Sequence, residues 1–259
     1  MAGSMKLGAQ LYTLRLYLQT EADIRRSLAR VAAMGYRVVQ LSGLGAIDPG
    51  LLRAICDEHG LEIALTHNPA DRILNDTDAL IAEHRILGCP YVGLGSMPEK
   101  YRSPFWVDYF AEDYLPAIRR LMDAGLQFSY HNHAFEFAKH DGRTLMERLV
   151  ERFDENELYI TLDTYWLQYA GCDLYDWMER LAPRLACVHL KDYAVRGHVP
   201  EFAAVGDGNL NFARILKQLE SQGHTRYILV EQDSVPAGDD PFSCLERSYR
   251  AVAALGYAD

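Results

Sequence analysis

Short apolar runs and longer amphipathic segments alternate regularly along this chain, and no other feature constrains the fold as strongly. Eight apolar runs of strand length alternate with eight segments whose apolar residues recur at helical spacing. The repeat of roughly 30 residues suits a strand followed by a helix. Alternation of this kind favours a parallel sheet covered by helices, and eight units in 259 residues match a closed (β/α)8 barrel. We therefore predict an α/β protein with one domain folded as a TIM barrel.

Apolar patterns and helix-terminating residues set the limits of each predicted element. Asp48 and Pro49, for example, are typical of a helix start, and Gly60 is typical of its end. The predicted strands are residues 6–12, 38–44, 62–68, 91–97, 127–133, 158–165, 185–191 and 226–232. The predicted helices are residues 21–34, 48–59, 71–87, 143–153, 174–181, 212–222 and 242–255, together with one that ends near Gly125. A loop rich in glycine and charge is predicted over residues 192–209.

An open, doubly wound sheet is the alternative arrangement of the same elements. Such a sheet would normally carry a glycine-rich phosphate loop after its first strand, where this chain reads QLYTLR at residues 10–15. No change of composition marks a domain boundary, so we predict one domain over residues 5–259. The first four residues, MAGS, precede a second methionine and are typical of a remnant left by cloning.

Composition argues against several classes of partner. The formal net charge of −10, from 36 acidic and 26 basic residues, disfavours a nucleic-acid backbone, whose binding depends on clustered lysine and arginine. No apolar run reaches the roughly 18 residues of a spanning helix, and the N-terminus lacks a signal-peptide pattern, so we expect no membrane partner. Five dispersed cysteines without CxxC spacing favour reduced thiols, and we expect a cytoplasmic protein.

The segment Gln127–Phe137, QFSYHNHAFEF, contains the densest group of candidate functional residues. Because side chains alternate along a strand, Ser129, His131 and His133 should share one face of the fifth strand. Two imidazoles on one face at a strand end suit a metal site or a proton-transfer site. A pair of hydrogen-bonded structural histidines is the alternative, and the alternation leaves open which histidine would bind a metal.

Polar residues also end the other predicted strands, and in a barrel the C-terminal strand ends converge on one mouth. Burying such groups without partners is costly, so their presence at the ends of apolar strands indicates a site. Imidazole and carboxylate groups together suit Mn²⁺, Co²⁺ or Zn²⁺, whereas an all-oxygen set would suit Mg²⁺ or Ca²⁺. The residues at these ends are Gln10, Tyr12, Gln40, Ser42, His67, Asn68, Ser96, His131, His133, Asp163, His189, Lys191, Glu231 and Asp233.

Six short motifs run in order along almost the whole chain. They are LGAQLYTLR (7–15), YHNHAFEF (130–137), LDTYW (162–166), VHLKD (188–192), VGDGNLNF (205–212) and LVEQD (229–233). Together they resemble the xylose isomerase-like TIM-barrel superfamily, which holds sugar phosphate isomerases and epimerases, ketose 3-epimerases, inosose dehydratases and DNA-repair enzymes of the endonuclease IV type. The resemblance implies one divalent metal ion, with Mn, Co, Zn or Fe expected before Mg. Carried over by motif, its ligands would be His131, Asp163, His189 and Glu231.

Two positions depart from parts of that superfamily. Many of its isomerases and epimerases carry a glutamate where this chain has His131, and use it with the strand-eight glutamate as a pair of bases. Histidine at this position resembles the inosose dehydratase branch. The DNA-repair members carry a further metal-binding histidine where this chain has Trp166, so this departure argues against a nuclease with three metals.

The resemblance implies an enzyme that acts on a small sugar or keto-sugar. We predict a divalent-metal-dependent isomerase or epimerase that removes a proton next to a carbonyl through a metal-stabilised enediolate. Glu231 would be the base, while His131, His133 or Lys191 would handle the second proton. The alternative is a dehydratase or lyase that acts on a keto-sugar, an inosose or a 3-keto-glycoside by β-elimination at the same site. The resemblance also makes a homo-oligomer possible, since barrels of this kind are often dimers or tetramers, but the sequence does not fix the oligomeric state.

Five residues around the mouth are predicted to bind the substrate. These are Tyr12, His67, His133, Glu136 and Trp166. Their aromatic members could stack on the apolar face of a sugar ring, whereas His133 and Glu136 could instead support the site without touching substrate. The glycine-rich loop at 206–208 is expected to shape the mouth and not to hold a phosphate. A sugar-binding barrel without activity is the remaining alternative, against which the four intact candidate ligands speak.

Overall fold

Eight parallel strands close into a barrel in the computed structural model, which describes residues 5–258. The strands are β1 (Lys6–Gln10), β2 (Val38–Leu41), β3 (Glu62–Asn68), β4 (Tyr91–Leu94), β5 (Gln127–His131), β6 (Tyr159–Asp163), β7 (Cys187–Leu190) and β8 (Tyr227–Val230). Each pairs with the next along the chain, and Lys6 of β1 lies opposite Tyr227 of β8 where the barrel closes. The predicted fold class is therefore confirmed. Residues 1–4, predicted to be a cloning remnant, and residue 259 lie outside the described residues.

Helices surround the barrel along the whole described chain. They are α1 (Glu21–Ala33), α2 (Pro49–Glu58), α3 (Ala70–Asn75), α4 (Thr77–Leu87), α5 (Val107–Asp123), α6 (Leu145–Arg152), α7 (Thr164–Tyr169), α8 (Leu174–Leu181), α9 (Phe212–Gln222) and α10 (Pro241–Ala254). Short 3-10 helices lie at Leu11–Tyr17, Glu99–Tyr101, Pro104–Trp106, Phe135–Phe137 and Ala182–Arg184. The helix start predicted at Asp48 is confirmed, because its carboxylate accepts the backbone N–H of Leu51 at 2.9 Å.

Apolar side chains fill the barrel below its mouth. The strands β2, β4, β7 and β8 are buried along their whole length, because one face packs inside the barrel and the other against helices. Val38, Leu65 and Leu229 belong to the same buried cluster. A side chain on Gly8 would meet Cδ2 of Leu229 at 2.6 Å, so this glycine lets the interior close tightly. A ligand is therefore accommodated at the mouth and not along the barrel axis.

Most strands end one to three residues earlier than predicted, because polar residues leave the strand ladder to build the mouth. Strand β1, for example, ends at Gln10, whose Oε1 accepts the backbone N–H of Tyr12 at 2.6 Å and begins a 3-10 helix.

The prediction of a single helix over residues 71–87 is wrong, because two helices occupy this segment. Asp76, with φ −133° and ψ 35°, interrupts it and separates α3 from α4.

The loop predicted over 192–209 contains an antiparallel hairpin, here called the rim hairpin, formed by Asp192–Arg196 and Val199–Ala203. Most of its strand residues are half-buried or exposed, without the alternation of buried apolar and exposed polar residues by which strands are predicted. A second small hairpin pairs Lys139–His140 with Arg143–Thr144, where the helix predicted from residue 143 was expected to start. Both hairpins follow barrel strands at the C-terminal end and therefore belong to the side of the molecule that carries the mouth.

Candidate metal centre and active site

The four predicted metal ligands meet at the mouth of the barrel. His131, Asp163 and His189 come from β5, β6 and β7, and Glu231 directly follows β8. One possible ligand atom of each lies within 4.8 Å of the others, and all four residues are buried. The parallel register brings them into one layer, since Asp163 lies opposite His189 across β6 and β7. The layer could hold one metal ion between four neighbouring strands.

Both histidines of this cluster are hydrogen bonded in the way that a metal ligand requires. Nδ1 of His131 donates to the carbonyl oxygen of Gly95 at 2.9 Å, so Nε2, 3.1 Å from Oδ2 of Asp163, is the nitrogen that faces the cluster. His189 is held through its other nitrogen, because Nε2 donates to Oε1 of Gln40 at 2.7 Å and Nδ1 faces the cluster. Metal-binding histidines are usually fixed in this manner by the nitrogen that does not bind the metal.

The two carboxylate oxygens of Asp163 have different partners. Oδ1 accepts the backbone N–H of Trp166 at 3.1 Å and caps α7. Oδ2 lies 3.1 Å from Nε2 of His131 and 2.8 Å from Nζ of Lys191, inside the cluster. Capping a helix and contributing to the cluster are therefore compatible roles for this residue.

Two buried atoms of the cluster lack a hydrogen-bond partner among the described residues. They are Nδ1 of His189 and Oε2 of Glu231, which lie only 2.9 Å apart. Nζ of Lys191, 2.8 Å from Oε2, already offsets the charge of Glu231, so the unpaired Nδ1 of His189 is the atom that requires an explanation. One divalent ion would satisfy Nδ1 of His189, with Oε2 of Glu231 as a second ligand beside Lys191, and the mixed nitrogen and oxygen set suits Mn, Co, Zn or Fe. The residues present thus fit a divalent metal ion.

Lys191 places a positive charge in the same cluster. Its Nζ lies 2.8 Å from Oδ2 of Asp163, 2.8 Å from Oε2 of Glu231 and 2.9 Å from Oδ1 of Asp233. Burial opposes ionisation of the first two carboxyls, but Lys191 outweighs it and lowers the pKa of Asp163 and Glu231. The carboxylates in turn raise the pKa of Lys191 against the effect of burial. The chain therefore keeps its own cation beside the candidate ligands.

Glu231 and Asp233, two residues apart after β8, lie in contrasting environments. The side chain of Glu231 is 4% exposed and that of Asp233 is 24% exposed. Burial raises the pKa of Asp233, and Lys191 offsets this only in part, whereas the pKa of Glu231 is lowered. Two neighbouring carboxyls whose pKa values are shifted in opposite directions can serve as separate base and acid.

A cavity of about 480 Å³ opens over the cluster. Tyr12 and His133, both predicted to bind substrate, line it together with Lys191, Glu231 and Asp233. A substrate in this cavity would therefore contact Glu231 of the cluster and the predicted substrate residues Tyr12 and His133 at the same time. The volume lies within the range of pockets that bind small molecules.

The predicted substrate residues His67 and Trp166 lie beside the same cluster. The ring of His67 is 5.3 Å from that of His131 and 5.7 Å from that of His189, and the ring of Trp166 is 5.4 Å from that of His133. Burial, together with His131, lowers the pKa of His133 to about 3 and also lowers the pKa of His67, so both are neutral. Their free nitrogens and Nε1 of Trp166 have no partner among the described residues.

The structure distinguishes His131 from His133, which the strand alternation could not do. His131 directs Nε2 at Asp163, whereas His133 lies outside the four-residue cluster and lines the cavity. The geometry therefore favours His131 as the candidate ligand and His133 as a candidate substrate contact.

The expectation that Glu136 contacts substrate does not agree with the structure. Glu136 has no exposed surface. Its carboxylate accepts the hydroxyl of Tyr130 and, at 2.9 Å, the backbone N–H of His133. Burial raises the pKa of Glu136 to about 7. Glu136 therefore supports the segment after β5 from behind, which is the alternative that the sequence allowed.

One buried carboxylate anchors the rim hairpin and the loop that follows it. Asp192, which has no exposed surface, accepts backbone N–H groups of Tyr193, Gly206, Gly208 and Leu210 at 2.8 to 3.2 Å. A side chain on Gly208 would meet Oδ1 of Asp192 at 2.5 Å, so glycine is required there. The N–H groups of this loop are thus already occupied, in agreement with a loop that shapes the mouth and does not hold a phosphate.

Sequence reasoning assigned no role to three residues that the structure places in or against the cluster. Gln10 and Gln40 contact the candidate ligands Glu231 and His189, and Asp233 contacts Lys191; each had been noted only as a polar strand end. Each lies two residues before or after another polar residue at a strand end. This spacing places both side chains on the same face of the strand and could have indicated that they belong to the site. His84 is buried on α4, where its Nε2 lies 2.8 Å from Oγ1 of Thr66.

A family model described as xylose isomerase-like TIM barrel matches residues 28–246. The chain belongs to this family. No helix among residues 5–258 has the length and apolar character to cross a membrane.

Curated relatives of this xylose isomerase-like barrel include inosose dehydratases. The protein of that name from Geobacillus kaustophilus (strain HTA426) is 26% identical over 258 aligned residues, which cover 83% of this chain and 82% of the relative. The inosose dehydratase of Lacticaseibacillus casei is 22% identical over 265 residues, which cover 87% of each chain. This xylose isomerase-like chain is thus similar to these enzymes over most of its length.

Solved structures with the same barrel include enzymes with other names. A sugar phosphate isomerase/epimerase from Parabacteroides distasonis superposes with a TM-score of 0.81 and 22% identity, covering 99% of this chain and 100% of that chain. A probable 3-DHS dehydratase from Bacillus anthracis superposes with a TM-score of 0.70 and 13% identity, covering 96% and 99% of the two chains. At these identities the likeness concerns the fold of the xylose isomerase-like family alone.

Proposed function

We propose that this barrel is a divalent-metal-dependent lyase that removes a proton next to the carbonyl of a keto-sugar or keto-polyol and expels the β-hydroxyl as water. The observation that carries the proposal is the pair Glu231 and Asp233, one buried and ionised, the other facing the cavity with a raised pKa. Elimination requires one base and one acid, which this pair supplies. The similarity to the inosose dehydratase of Geobacillus kaustophilus over 83% of this chain supports the same reaction class.

His131, Asp163, His189 and Glu231 would hold the ion, and Mn, Co, Zn or Fe suits this donor set better than Mg. A divalent ion bound there acts as a Lewis acid that polarises a substrate carbonyl and makes the neighbouring C–H more acidic. The buried Nδ1 of His189, without a hydrogen-bond partner among the described residues, supports this assignment.

The proton steps are assigned to the two carboxyls after β8. Glu231 takes the proton from carbon, the C–H electron pair forms the C=C bond, and the C–O bond to the β-hydroxyl breaks. Asp233 gives its proton to the departing hydroxide, so that water leaves and the two carboxyls have exchanged protonation states. Lys191, whose Nζ contacts both, stabilises whichever of them is charged and lies where a proton could return between turnovers.

Recognition of a polyhydroxylated ring is assigned to the aromatic residues of the mouth. Tyr12 lines the cavity, and His67, His133 and Trp166 each have a ring nitrogen without a partner among the described residues. A sugar presents an apolar face and a set of hydroxyl groups, and these rings offer a stacking surface and polar atoms together. We therefore propose these four residues as the substrate contacts.

An isomerase or epimerase is the second candidate, because the first proton transfer from carbon is common to all three reactions. His133 lines the same cavity with a free Nδ1 and could return a proton to carbon. The histidine at 131 leaves this chain without the second glutamate that many epimerases of the superfamily use, and this favours elimination.

The test combines metal analysis with proton exchange. The purified protein is first assayed for bound metal. It is then incubated in D₂O with inososes, 3-keto-glycosides and ketoses, and the product masses are measured by mass spectrometry. We expect one Mn, Co, Zn or Fe per chain, and loss of 18 mass units, one water, from an inosose. Deuterium incorporation without loss of water would support the isomerase or epimerase instead. Absence of metal after reconstitution would overturn the proposed site.

A further inference from the structure

Two buried glutamines from the opposite half of the barrel contact the candidate metal ligands. Gln10 ends β1 and Gln40 lies in β2, and neither has exposed surface. Nε2 of Gln10 donates to Oε1 of Glu231 at 2.7 Å. Oε1 of Gln40 accepts from Nε2 of His189 at 2.7 Å. The same residue type therefore acts as a donor at one ligand and as an acceptor at another.

The direction of the Gln10 contact is set by the backbone. Oε1 of Gln10 lies 2.6 Å from the backbone nitrogen of Tyr12, and a backbone N–H can only donate. Oε1 must therefore accept, which turns the amide NH₂ towards Glu231. An amide N–H requires an acceptor, so the contact favours the ionised carboxylate and leaves Oε2 of Glu231 for the cluster.

The Gln40 contact has the reverse direction. Its Oε1 faces Nε2 of His189, while its Nε2 is buried without a hydrogen-bond partner among the described residues. The acceptor keeps the imidazole proton on Nε2 of His189, so Nδ1 carries the lone pair on the side of Asp163 and Glu231. The contact with Gln40 thus selects the tautomer that can bind a cation.

We propose that Gln10 and Gln40 are positioning residues of opposite hydrogen-bond direction for the metal centre. Gln10 holds Glu231 by donating to it, and Gln40 holds His189 by accepting from it. The proposal rests on the metal site proposed above. It leads to a specific expectation, because Glu has the shape of Gln but can only accept when ionised. The same substitution should therefore have opposite consequences at the two positions.

The experiment compares Gln→Glu with Gln→Leu at each position. Affinity for Mn²⁺ or Co²⁺ is measured by calorimetry on the metal-free protein, and each variant is first checked by thermal unfolding without metal. Gln40→Glu keeps the acceptor for His189, so its affinity should equal or exceed that of the wild type, while Gln40→Leu should weaken binding roughly 10- to 100-fold. Gln10→Glu places a second carboxylate next to that of Glu231, so it should weaken metal binding roughly 10- to 100-fold. The loss should be at least as large as that caused by Gln10→Leu.

A charge effect alone predicts a different result. Both Glu variants add one negative charge near the ion, so simple attraction would tighten binding in both. Gln127→Glu, at the start of β5 and at the other end of the barrel, is the matched control and should leave affinity unchanged. If Gln10→Glu does not fold, Gln10→Leu against Gln40→Glu still tests whether a donor is needed at one site and an acceptor at the other.

The outcomes separate this proposal from the proposed function. A wild-type protein that binds no divalent ion would remove the metal site itself. A wild type that binds the ion, with both Glu variants tightened or both weakened alike, would overturn the opposite directions of Gln10 and Gln40 while leaving the site in place. Opposite responses, with rescue by Glu at position 40 only, would support it.

Discussion

The two halves of the barrel mouth differ in the charge that their strand ends carry. The half formed by β5–β8 ends in ionisable residues, namely His131, Asp163, His189 and Glu231. The half formed by β1–β4 ends in the uncharged residues Gln10, Gln40, His67 and Ser96. His67 is neutral because burial and the nearby His131 and His189 lower its pKa well below the ordinary value. One half supplies charge for a cation, and the other supplies hydrogen bonds of defined direction without adding charge.

The charged half should dominate turnover. Glu231→Gln keeps the size of the side chain but removes the proposed base and one candidate ligand, so we expect kcat to fall roughly 10²- to 10⁴-fold. Turnover and bound metal are measured on the same preparation. Ser96→Ala, in the neutral half, is the matched control and should change kcat much less. A variant at 231 that retains turnover within a factor of three would remove Glu231 from the proton transfer.

Asp233→Asn should separate the two proton steps. The amide cannot protonate a leaving group, so we expect loss of water to slow roughly 10²-fold. Exchange of the carbon-bound proton with D₂O should continue, because Glu231 is unchanged. Rates of exchange and of product formation are followed together by NMR. Equal losses in both rates would contradict the assignment of Asp233 as the acid.

Removal of the metal should destabilise the fold by an intermediate amount. An ion present at about 100 times its dissociation constant stabilises the native state by about 2.7 kcal/mol. For a domain of this size that corresponds to a fall of roughly 5–10 °C in Tm on chelation. Scanning calorimetry with and without EDTA measures this fall in Tm. The Tm of Asp163→Asn, which lacks one candidate ligand, should fall less when EDTA is added. Equal Tm values with and without EDTA, in a protein known to contain the ion, would count against a centre that ties β5–β8 together.

His133 should make the metal-free protein sensitive to acid. Its folded pKa of about 3 is below its ordinary value of 6.5, so its contribution to stability is fully present above pH 6.5 and is lost as the pH falls towards 3. The loss is at most roughly 1.4 kcal/mol per pH unit. Acid unfolding followed by circular dichroism should be shallower for His133→Gln. An unchanged curve would show that His133 becomes solvated before the fold is lost.

The fold and the four clustered side chains were accessible from sequence because both depend on short-range patterns. Apolar alternation predicted eight strands, and polar residues at the strand ends predicted a mouth with imidazole and carboxylate groups. Strand β3 was predicted with its observed limits, Glu62–Asn68. What one strand end contains can be read along the chain, and the barrel then brings the ends together.

The remaining features depend on contacts between distant residues. Asp233 could not be assigned a role from sequence, because burial raises its pKa against the opposing effect of Lys191, which lies 42 residues away in the chain. Glu136 was misjudged because its partner Tyr130 lies behind the strand and not at the mouth. His84 of α4 is buried and contacts Oγ1 of Thr66 on β3 at 2.8 Å, a contact that the pattern of α4 does not indicate.

Because Asp192 anchors the rim hairpin, the side chains of the hairpin can change in evolution independently of the buried residues below it. Asp192 holds the hairpin and its following loop through four backbone N–H groups and no side chain. Exposed side chains between residues 193 and 209 can therefore be replaced without loosening the attachment, provided that Gly206 and Gly208 are kept. Substrate preference could diverge in this segment while the buried chemistry below it is inherited unchanged.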